Sequence, residues 1–361
     1  MSEIGQLIMT GISGTQLTDD ERAFLESENI GGVLLFSHNY DSPAQLAELV
    51  NNIQQTRNEY PLFIAVDNEG GRVFRFKSGF TQFPPMYDVG LTDSPKLCFH
   101  IAKIMADELS ACGVNFNLSP VCDIWTNEKN KVIGDRAFGK DEETVSKFVS
   151  SIIRGLQTHG ILSCAKHFPG HGCTKKDSHY DLPIVKRTRE ELEEVEFKPF
   201  IKAIKSRVEC VMMAHLIVDA IDSELPTSLS PAAYKILRDE FKHTKLIITD
   251  DMEMKAITDN YGVGEAAVMA ITAGADIVEY RSMENAKIAL EALKEAKRTK
   301  VIKNDRLKES FDRITAAKKE YLSEYNPIYI PEITKKINTG ASQVLMSEIN
   351  EKIDQIKQTV S

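Results

Sequence analysis

Residues 163–172 read Ser163-Cys164-Ala165-Lys166-His167-Phe168-Pro169-Gly170-His171-Gly172, followed by Asp177-Ser178-His179 and closed by Leu182-Pro183. Small and apolar residues run directly into lysine, histidines and an aspartate, broken by glycine and proline. Proline lacks the ladder donor and the glycines release the backbone, so this is a strand that ends in a polar loop. Polar side chains presented past the carboxyl end of a strand are the hallmark of sites in parallel α/β folds.

Working outward, the same unit recurs along the chain. Apolar strand candidates are Gln6–Ile12, Gly31–Phe36, Leu62–Asp67, Val114–Pro120, the stretch before Lys166, Cys210–His215, Leu246–Asp251 and Ala275–Tyr280. Between them lie helix signals: a Thr18/Glu21 capping box, Ser42-Pro43 and Ser94-Pro95 as N-cap and N1, and a second box at Thr188/Glu191. Val145, Phe148, Val149, Ile152, Ile153 and Leu156 repeat at helical spacing, and further helices are expected near 283–296 and 304–322. Eight strands, each apolar on both faces and alternating with helices, predict a parallel sheet closed as a single (β/α)8 TIM-like barrel. An open doubly wound sheet more usually carries GxGxxG after its first strand, which Gly11-Ile12-Ser13-Gly14 does not supply. The barrel is expected over 1–324. A C-terminal extension, 325–361, carries an amphipathic helix with Leu345, Ile349, Ile353 and Ile356, which docks on the barrel's outside or on a partner subunit.

The 361 residues carry a formal net charge of −9 and no basic stretch, which disfavours nucleic acid and anionic membrane as partners and favours a small molecule. No signal sequence or membrane-spanning run is evident, and the six cysteines are scattered without CxxC pairing, so reduced, mostly buried thiols in a cytoplasmic protein are expected.

In a barrel, the polar residues at the strand ends converge on one mouth: Asp67, Arg136, Lys166, His167, His171, Asp177, His179, His215, Asp250 and Asp251. Each has a structural alternative. His171, between two glycines, is expected to brace its loop, Asp251 can cap the following helix, and His38, His100, His159 and His243 are taken as surface or structural. A metal held by His167, His171, Asp177, His179 and Asp181 is disfavoured, because the spacing is not HExxH and Pro169 keeps His167 and His171 from facing each other across one turn. Asp177 and His179 instead suit an acid/base pair, the carboxylate orienting the imidazole, with Asp250 a separate carboxylate able to act as nucleophile in acetal hydrolysis by double displacement.

The motifs IGGVLLFSHN, VDNEGGRV, NLSPVCDI, IGDRAFG, KHFPGHG with DSH, VMMAH, LPTSLS and ITDDMEM resemble the family 3 glycoside hydrolases of the β-N-acetylglucosaminidase type, cytoplasmic enzymes that recycle bacterial cell-wall fragments. The resemblance implies Asp250 as nucleophile and His179, assisted by Asp177, as acid/base. It implies that Asp67, Arg136, Lys166 and His167 hold the hydroxyls of the terminal sugar, with His215 lining the site. It further implies removal of terminal N-acetylglucosamine from anhydro-N-acetylmuramic acid, with or without peptide, with anomeric retention and no metal or organic cofactor. The carbohydrate is the expected partner, and the protein a monomer or weak homodimer. Asn68 stands where the family has glutamine. Phosphorolytic cleavage of the same bond and a non-catalytic sugar-binding barrel are the alternatives.

Overall fold

The computed structural model describes residues 3–174, 182–322 and 324–360. Eight strands form a closed parallel barrel: β1 (Ile8–Thr10), β2 (Gly32–Leu35), β3 (Phe63–Val66), β4 (Phe116–Asn117), β5 (Leu162–Phe168), β6 (Cys210–Met213), β7 (Leu246–Asp251) and β8 (Ile277–Tyr280). Each pairs with its neighbours in sequence, and β8 closes on β1 through Ile8↔Val278, Met9↔Glu279 and Thr10↔Tyr280. The cause is the composition of the runs. Every strand residue from β1 to β6 is buried, because the inside of the barrel and the surrounding helices both remove it from water.

The helices begin where their caps stand. Thr18 and Glu21 form the reciprocal capping box of Asp19–Ser27, Ser42 caps Pro43–Gln54, Ser94 caps Pro95–Ala111, and Thr188 with Glu191 opens the helical segment from Arg189. Helices Met283–Arg298 and Asn304–Tyr321 follow β8. Between β7 and β8 a short helix, Lys255–Thr258, follows Asp251, and a second, Val263–Ala273, is given no bounds by the sequence. Its run Ala266-Ala267-Val268-Met269-Ala270-Ile271 is apolar on nearly every face and so carries no stripe to read. β5 stops at Phe168, immediately before Pro169. Lys166 and His167 are strand residues, not loop residues past its end.

The tail helix, Gly340–Val360, lies on the outside of its own barrel. Met346, Ile349 and Ile353 are buried, and Lys357 Nζ reaches Asp88 Oδ2 at 2.8 Å. The cysteines are free thiols, five of them buried and Cys173 partly so. Among the described residues no helix is long and apolar enough to cross a membrane.

His243, read from the sequence as surface or structural, is 3% exposed, and its Nε2 lies 2.9 Å from the Leu246 carbonyl. Burial lowers its pKa to about 4. Between that value and the ordinary 6.5 the unfolded chain binds a proton that the folded chain does not, so this contribution to stability is lost as pH falls. Loss of the Nε2 contact to the Leu246 carbonyl is expected to make His243→Gln less stable than the parent at pH 7. By pH 4 the deficit should shrink by up to roughly 3 kcal/mol. Denaturant titrations of both proteins at the two pH values check this, and a constant deficit would refute it.

Candidate active site

The barrel's carboxyl-terminal mouth opens into a cavity of about 530 Å³ whose lining includes Asp67, Arg136, Lys166, His167, Asp250 and Glu279. Two irregularities in the sheet shape it. The β5–β6 pairing runs Cys164↔Cys210, Ala165↔Val211 and then slips to Phe168↔Met213, and the β7–β8 pairing slips between Ile248↔Ile277 and Asp251↔Glu279. In a regular strand consecutive side chains point to opposite faces. At these slips both Lys166 and His167, and both Asp250 and Asp251, line the same cavity.

One wall is an ion-pair network in which Lys166 and Glu69 are buried and Asp67, Arg75 and Arg136 are partly exposed. Lys166 Nζ lies 2.7 Å from Asp67 Oδ1 and 2.7 Å from Glu69 Oε1. Asp67 Oδ2 also takes Arg75 Nη2 at 2.8 Å. Arg136 grips Glu69 with both arms, Nε and Nη2 each at 2.8 Å. Burial opposes the charge on every member, but the facing opposite charges prevail. Lys166 and Arg75 hold Asp67, and Arg136 and Lys166 hold Glu69, well below the ordinary carboxylate range, and the two carboxylates hold Lys166 above the ordinary lysine range. The arrangement presents fixed donors and acceptors to a neutral polyhydroxylated ligand.

Behind it, Asp123 fixes the turn after β5. Its carboxylate takes His167 Nδ1 at 2.7 Å and the His171 backbone N–H at 2.6 Å. His171 braces the loop as the sequence predicts. It is buried, its Nδ1 lies 2.9 Å from Thr174 Oγ1, and burial lowers its pKa to about 4. The glycines of the motif are needed here: Gly170 has φ +130°, and a Cβ on Gly172 would stand 1.7 Å from the Ile124 carbonyl oxygen.

On β7, Asp250 and Asp251 have opposite electrostatics. Burial disfavours charge on Asp250, but the His167 and His215 imidazoles and the Asp251 N–H, donating at 2.8 Å, outweigh it and hold the carboxyl below its ordinary range. Burial pushes Asp251 up to about 6, against the pull of Arg281, whose Nη2 lies 2.7 Å away. Asp251 Oδ1 accepts the Glu253 N–H at 2.9 Å, so its carboxyl is engaged as a local cap. His215 is fully buried behind this strand rather than in the lining, held between Ser228 Oγ at 2.8 Å and the Asp251 carbonyl at 3.0 Å.

Of the residues named from the sequence, Asp67, Arg136, Lys166, His167 and Asp250 come together around the cavity, and His215 supports the strand carrying Asp250. Asp177 and His179 lie outside the described residues, as does Asp181. Sequence reasoning passed over Glu69, Arg75, Asp123 and Glu279. Glu279 carried a usable signal, an acid inside the otherwise apolar Ala275–Tyr280 run. Among the described residues no cluster of three histidine, cysteine or acidic side chains is placed to hold a metal ion.

Comparison with known proteins agrees with this fold. Residues 1–317 match the family described as Glycosyl hydrolase family 3 N terminal domain. A protein named Beta-hexosaminidase from Nitrosomonas eutropha is 39% identical over 277 residues, 75% of this chain and 79% of its own. A glycoside hydrolase family 3 β-N-acetylglucosaminidase from Paenibacillus sp. superposes with a TM-score of 0.94 at 36% identity, covering 97% of this chain and 68% of that one. NagZ from Neisseria gonorrhoeae, solved with N-trifluoroacetyl-D-glucosamine, superposes with a TM-score of 0.79 at 30% identity over 96% of this chain and 98% of its own. With its family match spanning nearly the whole barrel and these relatives alongside, the chain belongs to glycosyl hydrolase family 3, as an enzyme of the β-hexosaminidase group.

Proposed function

We propose that the protein is a retaining exo-β-N-acetylglucosaminidase that removes terminal N-acetylglucosamine from peptidoglycan fragments, N-acetylglucosamine on anhydro-N-acetylmuramic acid with or without peptide. The observation that carries the reading is Asp250, a carboxylate held below its ordinary range at the cavity wall, while burial raises its neighbour Asp251 to about 6 and Arg281 and the Glu253 N–H engage its oxygens. Asp250 attacks the anomeric carbon and forms a glycosyl ester as the bond to the leaving oxygen breaks. His179, oriented by Asp177, protonates that oxygen and then takes a proton from the water that hydrolyses the ester. Asp67, Arg136, Lys166 and His167 hold the sugar hydroxyls, and the rigid pairing among the three charged groups and Glu69 means little is reorganised on binding. His215 acts from behind, holding the backbone of Asp251. In this reading the catalytic unit is 1–324, with 325–361 an extension packed on it, and the enzyme works in the cytoplasm as a monomer or weak homodimer.

The test is release of p-nitrophenol from the β-N-acetylglucosaminide and from the β-glucoside in buffer free of phosphate. Cleavage of the first and at most weak cleavage of the second is expected. Absence of cleavage, or equal rates, would reject the assignment. Sugar 1-phosphate formed on adding phosphate would replace hydrolysis by phosphorolysis.

A further inference from the structure

Glu279 is a buried acid of the cavity to which the mechanism above gives no task. It sits on β8 between Val278 and Tyr280, both buried, is itself 3% exposed, and lines the cavity. Among the described residues its Oε2 has no hydrogen-bond partner. A leucine or isoleucine at this place would satisfy the packing, so a buried carboxyl with an orphaned oxygen is a cost that the neighbouring protein groups do not offset.

Its position says what could offset it. Around the barrel the strands run β5, β6, β7, β8, β1, β2, β3. Lys166 and His167 stand on β5, Asp250 on β7, and Asp67 directly after β3. Glu279 occupies the arc between Asp250 and Asp67, on the side away from Lys166 and His167. A sugar with its anomeric carbon at Asp250 and hydroxyls on the Lys166, Asp67 and Arg136 network spans the mouth and turns one edge toward Glu279. The charges around the group decide its form. Burial first, then the neighbouring Asp67, Asp250 and Asp251, push its carboxyl well above the ordinary range, with Lys166 opposing. The shift favours the protonated form, in which the group is a donor and does not repel the Asp250 carboxylate.

We propose that Glu279 is a further substrate-contacting residue, its carboxyl group donating a hydrogen bond to an oxygen acceptor on the terminal sugar, a hydroxyl or the acetamide carbonyl. The proposal rests on the glycosidase reading and deepens it. Bound sugar supplies the partner that Oε2 lacks, and a sugar missing that oxygen leaves the donor buried and unpaired, which is how a site discriminates strongly between close analogues.

The experiment compares Glu279→Leu and Glu279→Gln with the parent. Three measurements are made: stability in denaturant, calorimetric binding of free N-acetylglucosamine, and kcat/KM on the p-nitrophenyl N-acetylglucosaminide. Glu279→Leu should be at least as stable as the parent, because it replaces an orphaned polar group by an apolar one. It should bind the sugar roughly tenfold more weakly and lose roughly 10- to 100-fold in kcat/KM. Glu279→Gln keeps a neutral donor of the same length and should stay within about threefold of the parent in both. Repeating the pair on the 6-deoxy sugar and on the glucoside, which lacks the acetamide, identifies the acceptor as the one whose removal erases the difference between parent and Glu279→Leu. A Glu279→Leu protein that binds within threefold of the parent overturns the proposal, as does a Glu279→Gln protein damaged as badly as Glu279→Leu. Should Glu279→Leu fail to fold, Glu279→Met takes its place. A parent that binds N-acetylglucosamine but cleaves nothing would sink the glycosidase reading alone, leaving binding to decide this one.

Discussion

Replacing Asp250 by alanine is expected to reduce turnover of a β-N-acetylglucosaminide by on the order of 10³-fold or more, the scale on which removal of a nucleophile acts. Asp251→Asn should cost less than about tenfold. The contrast follows from the electrostatics of two adjacent acids. Asp250 is held ionised by the imidazoles and the N–H around it, whereas burial raises Asp251 to about 6 and its oxygens serve Arg281 and the Glu253 N–H. A partly protonated, doubly engaged carboxyl is a poor nucleophile, and asparagine can still cap Glu253. Initial rates of the two variants, with circular dichroism to confirm folding, check the assignment. Equal losses would mean that the two acids act as a unit, and a larger loss at Asp251 would reverse their roles.

The second large effect is expected at Glu69, a residue with no direct task in the reaction. Glu69 is 2% exposed and is the acid that Arg136 holds through both nitrogens, while Lys166 has Asp67 as a second partner. Glu69→Gln therefore leaves the mostly buried Arg136 guanidinium without its counter-charge. Breaking a buried pair from one side costs about 3–5 kcal/mol, more than the pair itself contributes. Combining Glu69→Gln with Arg136→Met removes the stranded charge, so the double variant should recover more than half of the lost stability. Activity should not recover with it, because the donors that hold the sugar are gone. Urea titrations of the four proteins measure the coupling, and additive losses would show that the two residues do not depend on each other.

What could be read in advance and what could not divides along physical lines. Strands such as Gly32–Leu35 and Phe63–Val66 are continuous apolar runs, because burial on both faces leaves nothing for a polar side chain to face. Caps such as Thr18/Glu21 announce helices because the pairing is local. The site was legible where it sat at strand ends, as with Asp67, Lys166 and Asp250. It was not legible where it depended on pairing across the barrel: Glu69 meets Arg136 67 residues away in sequence, and Asp123 meets His167 at a separation of 44. Nor could alternation foresee that neighbouring residues would share one cavity, since that comes from the slips in the β5–β6 and β7–β8 pairings. The short antiparallel pair Asn68–Gly70 with Val73–Phe74, which places Glu69, gives too few residues for a period to emerge.

The most direct test of the central claim is to inactivate the enzyme with a slowly turned-over fluorinated N-acetylglucosaminyl donor and map the labelled peptide by mass spectrometry. A single glycosyl ester on Asp250, released with recovery of activity on incubation in buffer, is the predicted result. A label on Asp251 or Glu279, or complete inactivation without any covalent adduct, would contradict it.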